Sequence, residues 1–94
     1  MKIVRSQKYT SSLQEAMFFI SKDSKNRALQ FKNQLDSHIN DLDNIPYKFR
    51  KSIYFDDENI RDLIFKGYTI VYKIDISKNL ITVIGLRNTQ EKLS

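Results

Sequence analysis

The spacing of apolar residues predicts two amphipathic helices in the first half of the chain. The first apolar series follows Ser12, which together with Glu15 fits a capping box at a helix start. The second series occupies residues 28–42, and Ser24 is suited to cap it. Pro46 is expected to end the second helix, because the residue before a proline is pushed away from helical geometry. The break between the helices is short, so they should form an antiparallel hairpin.

Alternating apolar and polar residues predict strands in the remainder of the chain. A short strand is predicted at Ile3–Val4, before the first helix. The Lys66–Gly67 pair suits a tight hairpin turn, because glycine tolerates positive φ. Further strands are predicted at residues 50–56, 60–65, 68–76 and 80–87. Residues 88–94 have the composition of a polar tail. Alternation along the 68–76 strand places Thr69 on the face exposed to solvent.

The order of these elements predicts an α+β fold in one domain over residues 1–94. It has an N-terminal strand, followed by a two-helix antiparallel hairpin. The hairpin packs on one face of a mainly antiparallel sheet of four to five strands. Apolar side chains of the central strands are expected to form the layer against the helices.

The net charge of +5 is carried by the N-terminal third of the chain. Residues 1–35 hold seven basic and two acidic residues, whereas residues 36–94 hold nine of each. A basic surface attracts nucleic acid or an acidic protein partner, and a solvated helix face gives the same pattern. Charge alone leaves these alternatives open.

Several kinds of chemistry are disfavoured by what the sequence lacks. It has no cysteine, its only glycines are Gly67 and Gly85, and its only histidine is His38. No disulfide, thiolate or glycine-rich phosphate loop is therefore expected, and no metal site or cofactor is predicted. The acids at residues 56–58 are interpreted as a solvated turn. With neither a signal peptide nor an apolar run of membrane-spanning length, a cytoplasmic protein without a membrane partner is expected.

Basic and aromatic residues recur around the ends of the predicted strands. The candidates for contact with a target are Lys51, Arg61, Lys66, Tyr68 and Arg87. Such a group can hold phosphates while an aromatic ring stacks on a base. Basic residues at strand ends also protect small sheets against edge-to-edge aggregation, and this second interpretation remains open.

The combined pattern resembles the RelE/ParE superfamily of type II toxins, which are encoded beside a small antitoxin. The resemblance covers nearly the whole chain, from the first strand through the helical hairpin to the last apolar strand. GYTIVYKID, at residues 67–75, is similar to the family's "Y-R-hydrophobic-hydrophobic-Y" element. The resemblance implies a toxin that inhibits growth and is neutralised by a cognate antitoxin in a hetero-oligomer.

Thr69 bears on which branch of this superfamily the chain resembles. The alignment puts Thr69 where the ribosome-dependent mRNA endonucleases of the RelE branch carry an arginine. The last strand ends in GLRNTQ, which offers Arg87 but no histidine or tyrosine for proton transfer. The ParE branch, which inhibits DNA gyrase and needs no catalytic acid and base, is therefore favoured. The alternatives are a RelE-like nuclease with Arg61, Lys66 and Arg87 around the phosphate, and an inactive toxin that retains antitoxin binding.

The resemblance also implies where the antitoxin binds. Antitoxins of this family wrap around the helical hairpin and a sheet edge, and they are often acidic in part. The basic N-terminal third is therefore the expected contact surface. The antitoxin-binding candidates are Lys22, Lys25, Arg27 and Lys32.

Overall fold

A computed structural model of the chain describes residues 1–88. In chain order the elements are β1 (Lys2–Arg5), α1 (Gln7–Ser21), α2 (Lys25–Asn40), β2 (Arg50–Lys51), β3 (Ile60–Phe65), β4 (Tyr68–Asp75) and β5 (Leu80–Asn88). The five strands form one sheet in the order β1-β5-β4-β3-β2. β1 runs parallel to β5 and the other neighbours are antiparallel. The predicted α+β architecture is confirmed.

The helical hairpin covers one face of the sheet. Side chains of both helices pack on alternate residues of the central strands. The largest fully buried side chains include Tyr9, Leu35, Ile70 and Tyr72. The Tyr72 hydroxyl donates to the Pro46 carbonyl at 2.7 Å, and burial raises its pKa to about 12. Within residues 1–88 no helix has the length and apolarity needed to cross a membrane.

The helix boundaries correct two predictions from the sequence. α1 begins at Gln7 with Ser6 as its N-cap, whose Oγ accepts from the Tyr9 N–H at 3.1 Å, so the predicted capping box lies inside the helix. Ser24 caps α2 as predicted, since its Oγ accepts from the Arg27 N–H. α2 ends at Asn40 in a 3-10 turn, however, and Pro46 does not end it.

The connections between strands follow local turn chemistry. Lys66 (φ 49°) and Gly67 (φ 84°) join β3 to β4 with both central residues at positive φ, as tight hairpin turns of type I′ require. β4 and β5 pair with Val71 opposite Gly85 and Tyr72 opposite Val83, so Ile84 is an extra residue in β5. This bulge lies near the middle of the β4–β5 ladder.

The prediction of a strand over residues 50–56 is wrong beyond Lys51. β2 contains only Arg50 and Lys51, and residues 52–56, here called the strap, form bends that cross the sheet face opposite the helices. This opposite face is called the open face below. The predicted polar tail also begins too early, because Asn88 is the last residue of β5; residues 89–94 lie outside the described part of the chain.

Candidate functional site

An apolar groove runs between the two helices on the outer side of the hairpin. Its lining includes Met17 and Phe18 of α1 and Ala28 and Leu29 of α2, around a cavity of about 450 Å³. Phe18 is 68% exposed and Leu29 is 55% exposed. Exposed apolar side chains that share one groove are typical of binding surfaces, because soluble proteins rarely expose a large contiguous apolar patch. We refer to this surface as the hairpin groove.

The four basic residues predicted to bind an antitoxin lie on three different surfaces. Lys25 lines the hairpin groove, and the Lys22 ammonium lies 5.3 Å from the centre of the Phe18 ring. Arg27 lines a separate cavity on the other flank of the hairpin. Lys32 forms an ion pair with Asp36 at 2.7 Å. The structure therefore places Lys22 and Lys25 beside Phe18 and the hairpin groove, whereas Arg27 shares its cavity with Phe19, which is 63% exposed.

Arg61, a predicted target-binding residue, is held by the chain itself. Its Nε donates to the Glu58 carbonyl at 2.9 Å, and its Nη1 donates to the Phe49 carbonyl at 3.1 Å. The guanidinium also lies 4.9 Å from the centre of the Tyr47 ring. Arg61 thereby ties the β2–β3 segment to the residues before β2, on the helix-covered side of β3 where Leu63 is also buried.

Three further target-binding candidates are also engaged within the fold. Lys51 pairs with Asp56 at 3.0 Å, and this hydrogen bond raises the pKa of the lysine. Lys66 donates to Gln34 Oε1 at 2.8 Å. Tyr68 is only 9% exposed and packs on a core phenylalanine of α2, so little of its surface is accessible to a partner.

The strap covers the part of the open face that contains Asp62. The Asp62 carboxylate is fully buried there; its Oδ2 accepts from the Ile53 N–H at 3.1 Å and lies 3.4 Å from Arg50 Nη2. Thr69, predicted to be exposed, is 0% exposed, and its hydroxyl has no hydrogen-bond partner in residues 1–88. The prediction fails because strand alternation identifies the face of a residue but not how far the rest of the fold covers that face.

Arg87 is the target-binding candidate that lines a cavity on the open face. Its guanidinium stacks 4.5 Å from the centre of the Tyr54 ring of the strap. Together with Lys8 of α1 these side chains border an open-face cavity of about 280 Å³, floored by Val71 and the β5 bulge. Lys8 was not predicted from the sequence, since only the β1–β5 pairing brings the start of α1 to this position.

The three basic residues of the predicted nuclease site lie on different parts of the sheet. Arg61 lies on the helix-covered side of the sheet, Lys66 at the β3–β4 turn and Arg87 on the open face, where it pairs with Thr69. Among residues 1–88, no carboxylate or imidazole lines the open-face cavity. His38 instead lies beside Phe65 on the helix side, at 5.1 Å between ring centres. Among the described residues no cluster of metal-ligating side chains is present.

Comparison with known proteins agrees with this architecture. A solved structure described as a chromosomal ParDE toxin–antitoxin system from P. aeruginosa has a TM-score of 0.73 and covers 94% of this chain and 95% of its own. At 10% identity this likeness shows a shared fold. A search of curated proteins found no match. The family model for the ParE toxin of the type II toxin–antitoxin system parDE matches residues 3–93, and the chain therefore belongs to the ParE toxin family.

Proposed function

We propose that this chain is a growth-inhibiting toxin that acts on DNA gyrase in the cytoplasm and is neutralised by a cognate antitoxin in a hetero-oligomer. Membership of the ParE toxin family supports the toxin class. The observation that favours gyrase over RNA cleavage is the separation of Arg61, Lys66 and Arg87 on different parts of the sheet. A protein that inhibits its target by binding needs no such convergence.

The alternative, a ribosome-dependent mRNA endonuclease, requires cationic groups and a proton acceptor around one phosphate. Arg61 donates to two backbone carbonyls, and the position of the nuclease arginine is occupied by the buried Thr69. Loss of one preorganised group that stabilises charge typically lowers the rate by roughly 10²–10³. Arg87 would then be the only one of the proposed groups on the open face, which argues against efficient cleavage.

The hairpin groove is the surface proposed for the antitoxin. Phe18 and Leu29 leave most of their side chains in water, and Lys22 and Lys25 border them with positive charge. An amphipathic segment with apolar residues on one side and acidic residues at its margin complements both features. Arg27 and Lys32 are also predicted as contacts, but Arg27 lines a separate cavity and Lys32 already pairs with Asp36. The proposal therefore rests on Lys22 and Lys25.

Pulse labelling in bacteria tests the proposed target. Synthesis of DNA and protein would be followed in one culture after tightly controlled induction of the chain. DNA synthesis should fall first, with induction of the DNA-damage response. An earlier fall in protein synthesis would favour the nuclease instead, and continued synthesis of both in cells that contain folded protein would indicate a toxin that retains only antitoxin binding.

A further inference from the structure

The first turn of α1 carries the wrong charge for a helix start. The N-terminal end of a helix has partial positive charge, which acidic residues usually offset. α1 has no acidic residue in its first turn and carries Lys8 there instead. The Ser6 hydroxyl donates to the Ile84 carbonyl at 2.8 Å, which fixes this helix end beside the β5 bulge.

Arg87 adds a second positive charge to the same cavity. Lys8 and Arg87 both line it, and neither forms an ion pair with any residue in the part of the chain that the structure describes. Arg87 contacts the Tyr54 ring, which does not neutralise its charge. The cavity therefore combines two cations with a helix N-terminus, and none of its described lining residues carries a compensating negative charge. Such a positive potential is relieved when an anion binds.

The remainder of the cavity is apolar. Phe55, Val71 and Ile84 line it, and Phe55 is still 45% exposed. A Cβ placed on Gly85 would meet nothing within 4 Å, so there is open space directly above the bulge. The site thus offers charge at Lys8 and Arg87 and apolar surface next to it.

From these features we propose that the open-face cavity binds an acidic peptide segment of a partner protein. A carboxylate of the segment would lie between Lys8 and Arg87, and a neighbouring apolar side chain would pack on Phe55 and Ile84. A peptide fits better than nucleic acid, because only two cations of the described residues face the cavity and the Tyr54 ring already stacks on Arg87. The proposal rests on the proposed function only in that the partner is a protein.

NMR titration of the ¹⁵N-labelled chain tests this site directly. The probes are the blocked peptide Ac-Asp-Leu-Glu-Leu-NH₂, its neutral counterpart Ac-Asn-Leu-Gln-Leu-NH₂, inorganic phosphate and a thymidine hexanucleotide. The acidic peptide should shift the Gly85 amide and Arg87 Nε signals, the neutral peptide should not, and added salt should weaken binding. Absence of these shifts, or tighter binding of phosphate or the oligonucleotide than of the acidic peptide, would overturn the proposal.

Charge-neutral variants identify the groups that bind the peptide. Arg87→Gln and Lys8→Gln should each weaken binding roughly three- to tenfold, as expected for the loss of one solvent-exposed charge contact. Lys78→Gln is the matched control, since it removes the same charge at the β4–β5 turn, at the other end of β5. Equal weakening by all three variants would mean that only net charge matters and would contradict a defined site. The assay contains neither gyrase nor antitoxin, so its failure leaves the proposed function to be judged by pulse labelling.

Discussion

Replacing Phe18 by serine should sharply weaken antitoxin binding if the hairpin groove is the antitoxin surface. Phe18 is 68% exposed in the free chain. With roughly 200 Å² for a phenylalanine side chain, about 140 Å² of apolar surface is available to a partner. Covering that area at about 25 cal/mol per Å² corresponds to about 3.5 kcal/mol, or roughly a 300-fold change in Kd. Ordering of the two partners reduces the net value, so we expect a loss of roughly 10- to 100-fold.

The assay is calorimetric titration of the purified chain with the antitoxin encoded by the neighbouring reading frame. Urea unfolding must be measured in parallel, because the buried third of the Phe18 side chain corresponds to about 1.5 kcal/mol of folding free energy. Ile76→Ser is the matched control: it also replaces a large apolar side chain by serine, at a 64% exposed position directly after β4 and outside the hairpin groove. It should leave antitoxin affinity unchanged.

A folded Phe18→Ser chain that binds antitoxin as tightly as the wild type would refute the assignment of the groove. Equal losses for Phe18→Ser and Ile76→Ser would also refute it, because they would show a general loss of apolar surface or of stability. The groove lysines give an independent comparison. Lys25→Gln should weaken binding more strongly at low salt than at high salt, whereas the Phe18 effect should change little with salt.

Three further predictions concern the forces that hold the sheet and the strap. Tyr72→Phe removes the hydrogen bond to the Pro46 carbonyl and should lower the unfolding free energy by about 1 kcal/mol in urea titrations. Burial raises the pKa of Tyr9 and Tyr72 to about 12, whereas the pKa of an unperturbed tyrosine is 10. The contribution of the two protonated hydroxyls to the free energy of unfolding is therefore complete below pH 10 and is lost as the pH rises towards 12. Denaturation midpoints measured across that interval should fall, and less steeply in Tyr72→Phe. Asp62→Ala removes the acceptor of the Ile53 N–H and should cost about 2 kcal/mol, with faster hydrogen exchange at Ile53; unchanged exchange would show that the carboxylate does not hold the strap.

Elements defined by local chemistry were predictable from the sequence. The Lys66–Gly67 turn and the Ser24 cap depend on residues within three or four positions of each other, and both are confirmed. Helical periodicity likewise located the hairpin. The start of α1 was missed because Ser6 and Ser12 both precede polar and apolar residues at plausible spacing, and only the Ser6 hydroxyl actually caps.

Features that depend on distant residues were not predictable. Residues 52–56 alternate like a strand, yet Asp62, on another strand, binds the Ile53 N–H and turns the segment across the open face. Thr69, which alternation alone placed in solvent, is fully buried. Lys8 reaches the Arg87 cavity only through the parallel pairing of β1 with β5, which no local pattern encodes.

Supercoiling by purified DNA gyrase, measured with increasing amounts of this chain, tests the central claim most directly. The account predicts that supercoiling is inhibited, and that prior addition of the antitoxin abolishes the inhibition. A parallel reaction with translating ribosomes should leave the mRNA intact. Full gyrase activity at a large excess of folded chain, together with cleaved mRNA on ribosomes, would contradict the account and establish the nuclease in its place.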